Sequence, residues 1–238
     1  MGGGWFDTTR WSVVLKAGSP DETESRDALA LLCQAYWTPV FSYVKSRERD
    51  PEAARDLTQG FFAALLERGG IAEARRERGR FRSFLLTSAK NFLADERDRE
   101  LALKRGGGQA PISIDAVAWE SMVAAAEPAT HLTPEAVFER QWAMALIDRA
   151  RHDLEDEMTR TGGGERYRRL GPYLAADGDP PYRQLSADLG MTEPALRVAL
   201  HRLRHRFGVK LREQVAQTID DPGKTEDELR HLIHALSA

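Results

Sequence analysis

The chain has 238 residues, a formal net charge of −3, 42% apolar residues and 30% charged residues. That apolar share supports a packed core and argues against disorder, and the longest clear apolar run, Phe61–Leu66, is far shorter than the ~20 residues of a membrane span. The single cysteine, Cys33, excludes an internal disulfide and a CxxC zinc site, and the opening MGGGWFDTTRWS lacks the apolar core of a signal peptide, so a reducing cytoplasm is the expected setting.

Apolar residues recur at three- and four-residue spacing almost throughout, which predicts an all-α fold. Leu29, Leu32, Cys33, Tyr36 and Trp37 form the first such set. The next, EAARDLTQGFFAALLE (52–67), places Leu57, Phe61 and Leu65 on one side and Asp56, Gln59, Gly60, Ala63 and Glu67 on the other, with Arg55 at the edge. Thr58 points toward the apolar side. The third, RGRFRSFLLTSAKNFLADERDRELALKR (78–105), gathers Phe84, Leu85 and Phe92 on a core face and leaves Lys90, Asn91 and Arg97 off it. From Arg75 to Arg105, eight Arg and two Lys stand against five acids. Basic and aromatic side chains together suit unstacked single-stranded bases, and a merely solvated helix face is the other reading.

At Gly106 the composition breaks into GGGQAPISIDAVAWESMVAAAEPATHLTP, which has acids but no Lys or Arg and reads as a long flexible linker. The expected division is therefore a helical domain at 1–105, a linker at 106–133, a second helical domain at 134–212 and an acidic helical extension at 213–238. Inside the second domain TGGGERYRRLGPYLAADGDPP (161–181) reads as a loop. YRQLSADLGMTEPALRVALHRLRHRF (182–207) then has the spacing of a helix-turn-helix. Gly190 supplies a left-handed turn residue, Thr192 caps the second helix, and Pro194 in its first turn needs no hydrogen bond. Leu196, Ala199, Leu200, Leu203 and Phe207 share the buried face, while Arg197, His201, Arg202, Arg204 and His205 lie opposite. Arginines so placed can bond guanine edges or phosphates. In the tail, TIDDPGKTEDELRHLIHALSA puts Leu229, Leu232, Ile233 and Leu236 on one face. It is expected to pack on the second domain, to fold back on a basic DNA-binding surface, or to dock a partner.

DLTQGFF, FRSFLLTSAKNFLAD and LSADLGMTEPALRVALHRLR resemble the second and fourth conserved regions of bacterial RNA polymerase sigma factors of the small, sigma-70-like extracytoplasmic-function type. The likeness covers about residues 25–105 and 135–210. It implies a factor that binds core RNA polymerase and directs promoter-specific initiation. On that resemblance Lys90, Asn91 and Arg97 would meet the minus-ten strand, and Arg197, His201, Arg202 and Arg204 the minus-thirty-five duplex. Asp56 and Gln59 would face the clamp helices of the polymerase largest subunit. Most acids usual on that helix are replaced, by Ala53, Arg55 and Gly60, so a second event is expected to raise polymerase affinity. Phosphorylation of Thr58 by a Ser/Thr kinase is one candidate, and an anti-sigma factor is a further candidate partner.

Two other functions compete: a helix-turn-helix regulator that acts on operator DNA without polymerase, and a sigma-like chain that sequesters a regulator. No G-x-x-x-x-G-K-[ST], H-E-x-x-H or Cys–His nucleophile pair is present, so no enzyme, metal or cofactor is expected.

Overall fold

The computed structural model describes residues 35–48, 50–67, 80–103, 131–174 and 180–237. Cys33, Leu29 and Leu32, and the linker from 106 to 130, lie outside the described residues. Among those described are eight α-helices and no strand: α1 (35–45), α2 (Pro51–Glu67), α3 (Phe81–Leu103), α4 (Pro134–Arg160), α5 (Gly164–Leu170), α6 (Tyr182–Leu189), α7 (Glu193–Ala216) and α8 (Thr225–Ser237). Single 3-10 turns occupy Gly171–Tyr173 and Pro222–Lys224. No helix among the described residues is long and apolar enough to cross a membrane.

The chain divides into two compact units, Met1–Ala145 with Gln217–Ala238, and Leu146–Ala216. These limits differ from the expected 134 and 212, and the reason lies in α4. Its first half carries Phe138 and Trp142, both with no exposed surface. Trp142 stacks on Tyr36 of α1 at 4.6 Å, and Phe138 meets Tyr43 edge-on at 6.4 Å. Aromatic pairs of this kind add to the area they bury, so residues 134–145 belong to the first unit.

In that unit α1 is buried almost all round, through Tyr36, Trp37, Val40, Phe41, Tyr43 and Val44, as befits a central helix. From α2, Phe62 stacks against Trp37 at 5.7 Å. From α3, Phe81, Leu85 and Ala89 enter the core at four-residue steps. Gly60, expected on the exposed side of α2, instead faces α3: a Cβ there would stand 3.1 Å from the tip of the Phe92 ring. The missing side chain is what lets the ring close on α2. Gly60→Leu is accordingly expected to overpack this contact and lower stability by about 1–3 kcal/mol, read as a shift in the urea midpoint.

Thr58 is fully buried, and its hydroxyl donates to the Ala54 carbonyl at 2.7 Å. This burial accords with a threonine packed in the first unit, the alternative to a phosphorylation site at Thr58.

The tail also departs from expectation. Rather than packing on the second unit, residues 217–237 join the first. Phe81 donates its backbone N–H to the Thr218 carbonyl at 2.9 Å, and Ile219, Leu229 and Leu232 are buried.

The second unit has one core, centred on Leu154, Leu170, Leu185, Leu196, Leu200 and Leu203. The glycine-rich stretch read as a loop contains α5 instead. Gly162, at φ +77°, closes α4, and Gly163 donates to the Met158 carbonyl at 2.7 Å. The chain can then restart as helix and bury Tyr167 and Leu170, three residues apart. The Tyr167 hydroxyl donates to the Arg151 carbonyl at 2.9 Å.

Candidate nucleic-acid interface

In the second unit α6 ends at Gly190, whose φ of 61° and ψ of 29° lie in the left-handed region that glycine adopts without strain. The N–H groups of Gly190 and Met191 both reach the Ser186 carbonyl, and the Ser186 hydroxyl returns a bond to the Met191 carbonyl. The turn between α6 and α7 is thereby tied down from both sides. Thr192 Oγ1 accepts a long bond of 3.4 Å from Ala195 N–H at the head of α7.

Leu196, Leu200 and Leu203 are buried, and Ala199 and Phe207 pack on the same cluster. Their burial turns Arg197, His201, Arg202, Arg204 and His205 outward, and all five are exposed. These residues do not form one row. Arg197 and Arg204, two turns apart, share a flank: the Arg197 guanidinium lies over the Tyr182 ring, 4.1 Å from its centroid, and Arg204 donates to the Tyr173 carbonyl at 2.9 Å. Both are pre-oriented, which lowers the entropy lost when they bind a polyanion. Arg202 lies on the other flank, beside a cleft that it lines with Arg166 and Arg206 over an apolar floor including Met158, Met191 and Leu203. His201 and His205 stand between the two flanks.

Two further cations of α7 are engaged internally. Arg206 bonds Glu157, and Lys210 lies 3.1 Å from the same carboxylate. The Arg206 bond, helped by Lys210, holds the Glu157 carboxyl below its ordinary range despite partial burial. Burial pulls Lys210 down, but its bonds to Glu157 and Glu213 outweigh that and leave it raised. Because the folded Glu157 value is depressed, its stabilising contribution is complete above the unfolded value of about 4.3. It is lost as pH falls through the lower folded value. Acid melts of the second unit are therefore expected to be steeper in wild type than in Glu157→Gln.

Among the described residues of the first unit, one of the cations expected to face nucleic acid is paired. Lys90 lies 2.9 Å from Glu135, a carboxyl held below its usual range chiefly by that bond. Lys90 is thus paired within the protein, with 40% of its side chain still exposed. Asn91 and Arg97 are exposed. On α2, Asp56 is exposed, Gln59 is half-buried, and Arg55 lies 3.8 Å from Glu52.

Sequence reasoning missed the ion-pair cluster at the head of α3. Arg82, only 5% exposed, bonds Glu139 of α4 and Glu228 of α8, and Arg80 also reaches Glu228. The partners are 57 and 146 residues from Arg82, so no local pattern announces them. Arg166 was likewise unmarked, since its place in the cleft depends on α5 forming.

No family model, no curated protein and no solved structure matches the chain.

Proposed function

We propose that the chain is a sigma-type initiation factor, which binds core RNA polymerase and reads promoter DNA at two separated sites. The observation that carries the reading is α7. An ordered turn presents its first helical turns to solvent, and five basic or imidazole side chains project from the face opposite the core. A helix of this kind fits the major groove, with Arg197 and Arg202 near its head suited to base edges and Arg204 to phosphate. Asn91 and Arg97 on α3, in the other unit, supply a second polar surface suited to a single strand. Asp56, with Gln59 beside it, is the α2 surface offered to the polymerase.

The sparse acidity of α2 favours a second reading, a DNA-binding regulator that works without polymerase. One experiment separates the two. Core RNA polymerase with this protein, on promoter fragments selected from genomic DNA, is expected to start transcripts at defined sites that core alone does not use. Tight operator binding by the free protein, with no effect on core polymerase, overturns the proposal. Undiminished activity of Arg197→Ala and Arg202→Ala would remove α7 from promoter recognition and favour a sequestering role.

A further inference from the structure

The buried charge cluster of the first unit is used by nothing described so far. Residues 80–82, where α3 begins, receive the C-terminal segment at two points. Thr218 accepts the Phe81 backbone N–H at 2.9 Å, one of the N–H groups a helix start leaves unpaired. Glu228, 1% exposed, places Oε1 2.6 Å from Arg82 Nε and Oε2 2.7 Å from Arg80 Nε. A single carboxylate is thus held by two guanidinium groups beside the positive end of a 23-residue helix. That donor set also suits a phosphate: two guanidinium groups, each offering its Nε, beside a helix N-terminus.

We infer that this is a phosphodiester site of nucleic acid, and that Glu228, carried on the C-terminal arm 217–237, occupies it as a built-in competitor. The ligand rests on the reading of α3 as a nucleic-acid face; the competition rests on the cluster itself. Arg82 is never left alone in the exchange, because Glu139 remains beside it and an incoming phosphate replaces the carboxylate like for like. The arm is suited to leaving. Its apolar hold on the unit is short, comprising Ile219, Leu229 and Leu232, while Ile233 on the same helix remains 59% exposed. Five acids against two bases in 217–237 oppose its return once a polyanion is seated.

The test is binding of a fluorescent 20-nucleotide single-stranded DNA to the full chain across a salt series, with Glu228→Gln beside wild type. Glu228→Gln is expected to bind more tightly. Its log affinity should fall more steeply with log salt, by about 0.7 for one phosphate engaged and about 1.4 for two. An excess of synthetic 217–238 peptide added to full-length Glu228→Gln should reverse the gain. Replacing Arg80 by Gln in the Glu228→Gln background should abolish the gain. Equal affinity and slope in wild type and Glu228→Gln, with the fold intact by circular dichroism, overturns the inference and leaves the arm a structural clasp. Should Glu228→Gln fail to fold, the decision passes to wild type with and without excess peptide 226–230 as competitor, where no loss of DNA binding overturns it. Absence of single-strand binding in every form also overturns it, and with it the reading of α3; transcription from α7-dependent promoters would remain a separate measurement.

Discussion

Arg82→Ala is expected to destabilise the first unit by about 3–5 kcal/mol, the range for breaking a buried ion pair by removing one partner. The side chain is 6% exposed and lies between two carboxylates, Glu139 and Glu228. Alanine leaves both in place without their shared cation, and Arg80, 42% exposed, can serve only Glu228. Replacing the cluster with uncharged residues of similar volume, as in Arg82→Met with Glu228→Leu and Glu139→Gln, should recover most of the loss, because the desolvation of three charged groups is then avoided. Two urea transitions distinguish this from a general effect. The transition reporting Trp142, in the first unit, should shift to lower urea, while one reporting Tyr167, in the second, should stay. Equal shifts in both would mean that the cluster does not belong to one unit. Loosening of the arm provides a second readout: limited proteolysis of Arg82→Ala should cut between 217 and 237 faster than in wild type.

The comparison of sequence with structure has a physical pattern. The α6–α7 pair was legible because its determinants are local. Gly190 has to be left-handed, Thr192 stands where a cap is needed, and the apolar positions of α7 repeat with the helix period. All five residues assigned to its buried face contribute to the core of the second unit. Where the sequence misled, the deciding contact came from elsewhere in the chain. Gly60 looks exposed on a helical wheel until Phe92, 32 residues on, covers it. Lys90 looks available until Glu135 pairs with it. The α5 stretch looks like a loop because three glycines, 162–164, lead into it, the last being its first residue, and helix forms there because Tyr167 and Leu170 can be buried. Arg80 and Arg82 counted toward a basic segment, yet the acid that answers them lies at the far end of the chain. Among the described cations, Arg80, Arg82 and Lys90 of the first unit and Arg206 and Lys210 of the second are paired within the protein, which net charge by segment does not show.

Leu196 and Arg197 are neighbours in sequence on α7, and their alanine variants are expected to fail in opposite ways. Leu196 has no exposed surface and contacts the core shared by α4, α5 and α6. Its truncation removes buried methyl groups and leaves a cavity, so Leu196→Ala should lower the stability of the second unit by about 2–5 kcal/mol. DNA binding should then decline with the folded fraction and return when the protein is cooled or stabilised by osmolyte. Arg197 is exposed and rests on the Tyr182 ring. Arg197→Ala forfeits that stacking, roughly 0.5–1 kcal/mol at an exposed site, and the melting temperature should move little. If Arg197 reads a base edge, its loss should reduce discrimination between cognate and altered promoters by about 1–3 kcal/mol. A phosphate contact would instead weaken all sequences alike and lower the salt slope by about one. Tyr182→Leu separates orientation from contact: it keeps the guanidinium but removes the ring beneath it. It should therefore weaken binding less than Arg197→Ala does and leave sequence preference in place. Loss of preference in Tyr182→Leu equal to that in Arg197→Ala would mean that the ring itself, and not the guanidinium, meets the DNA.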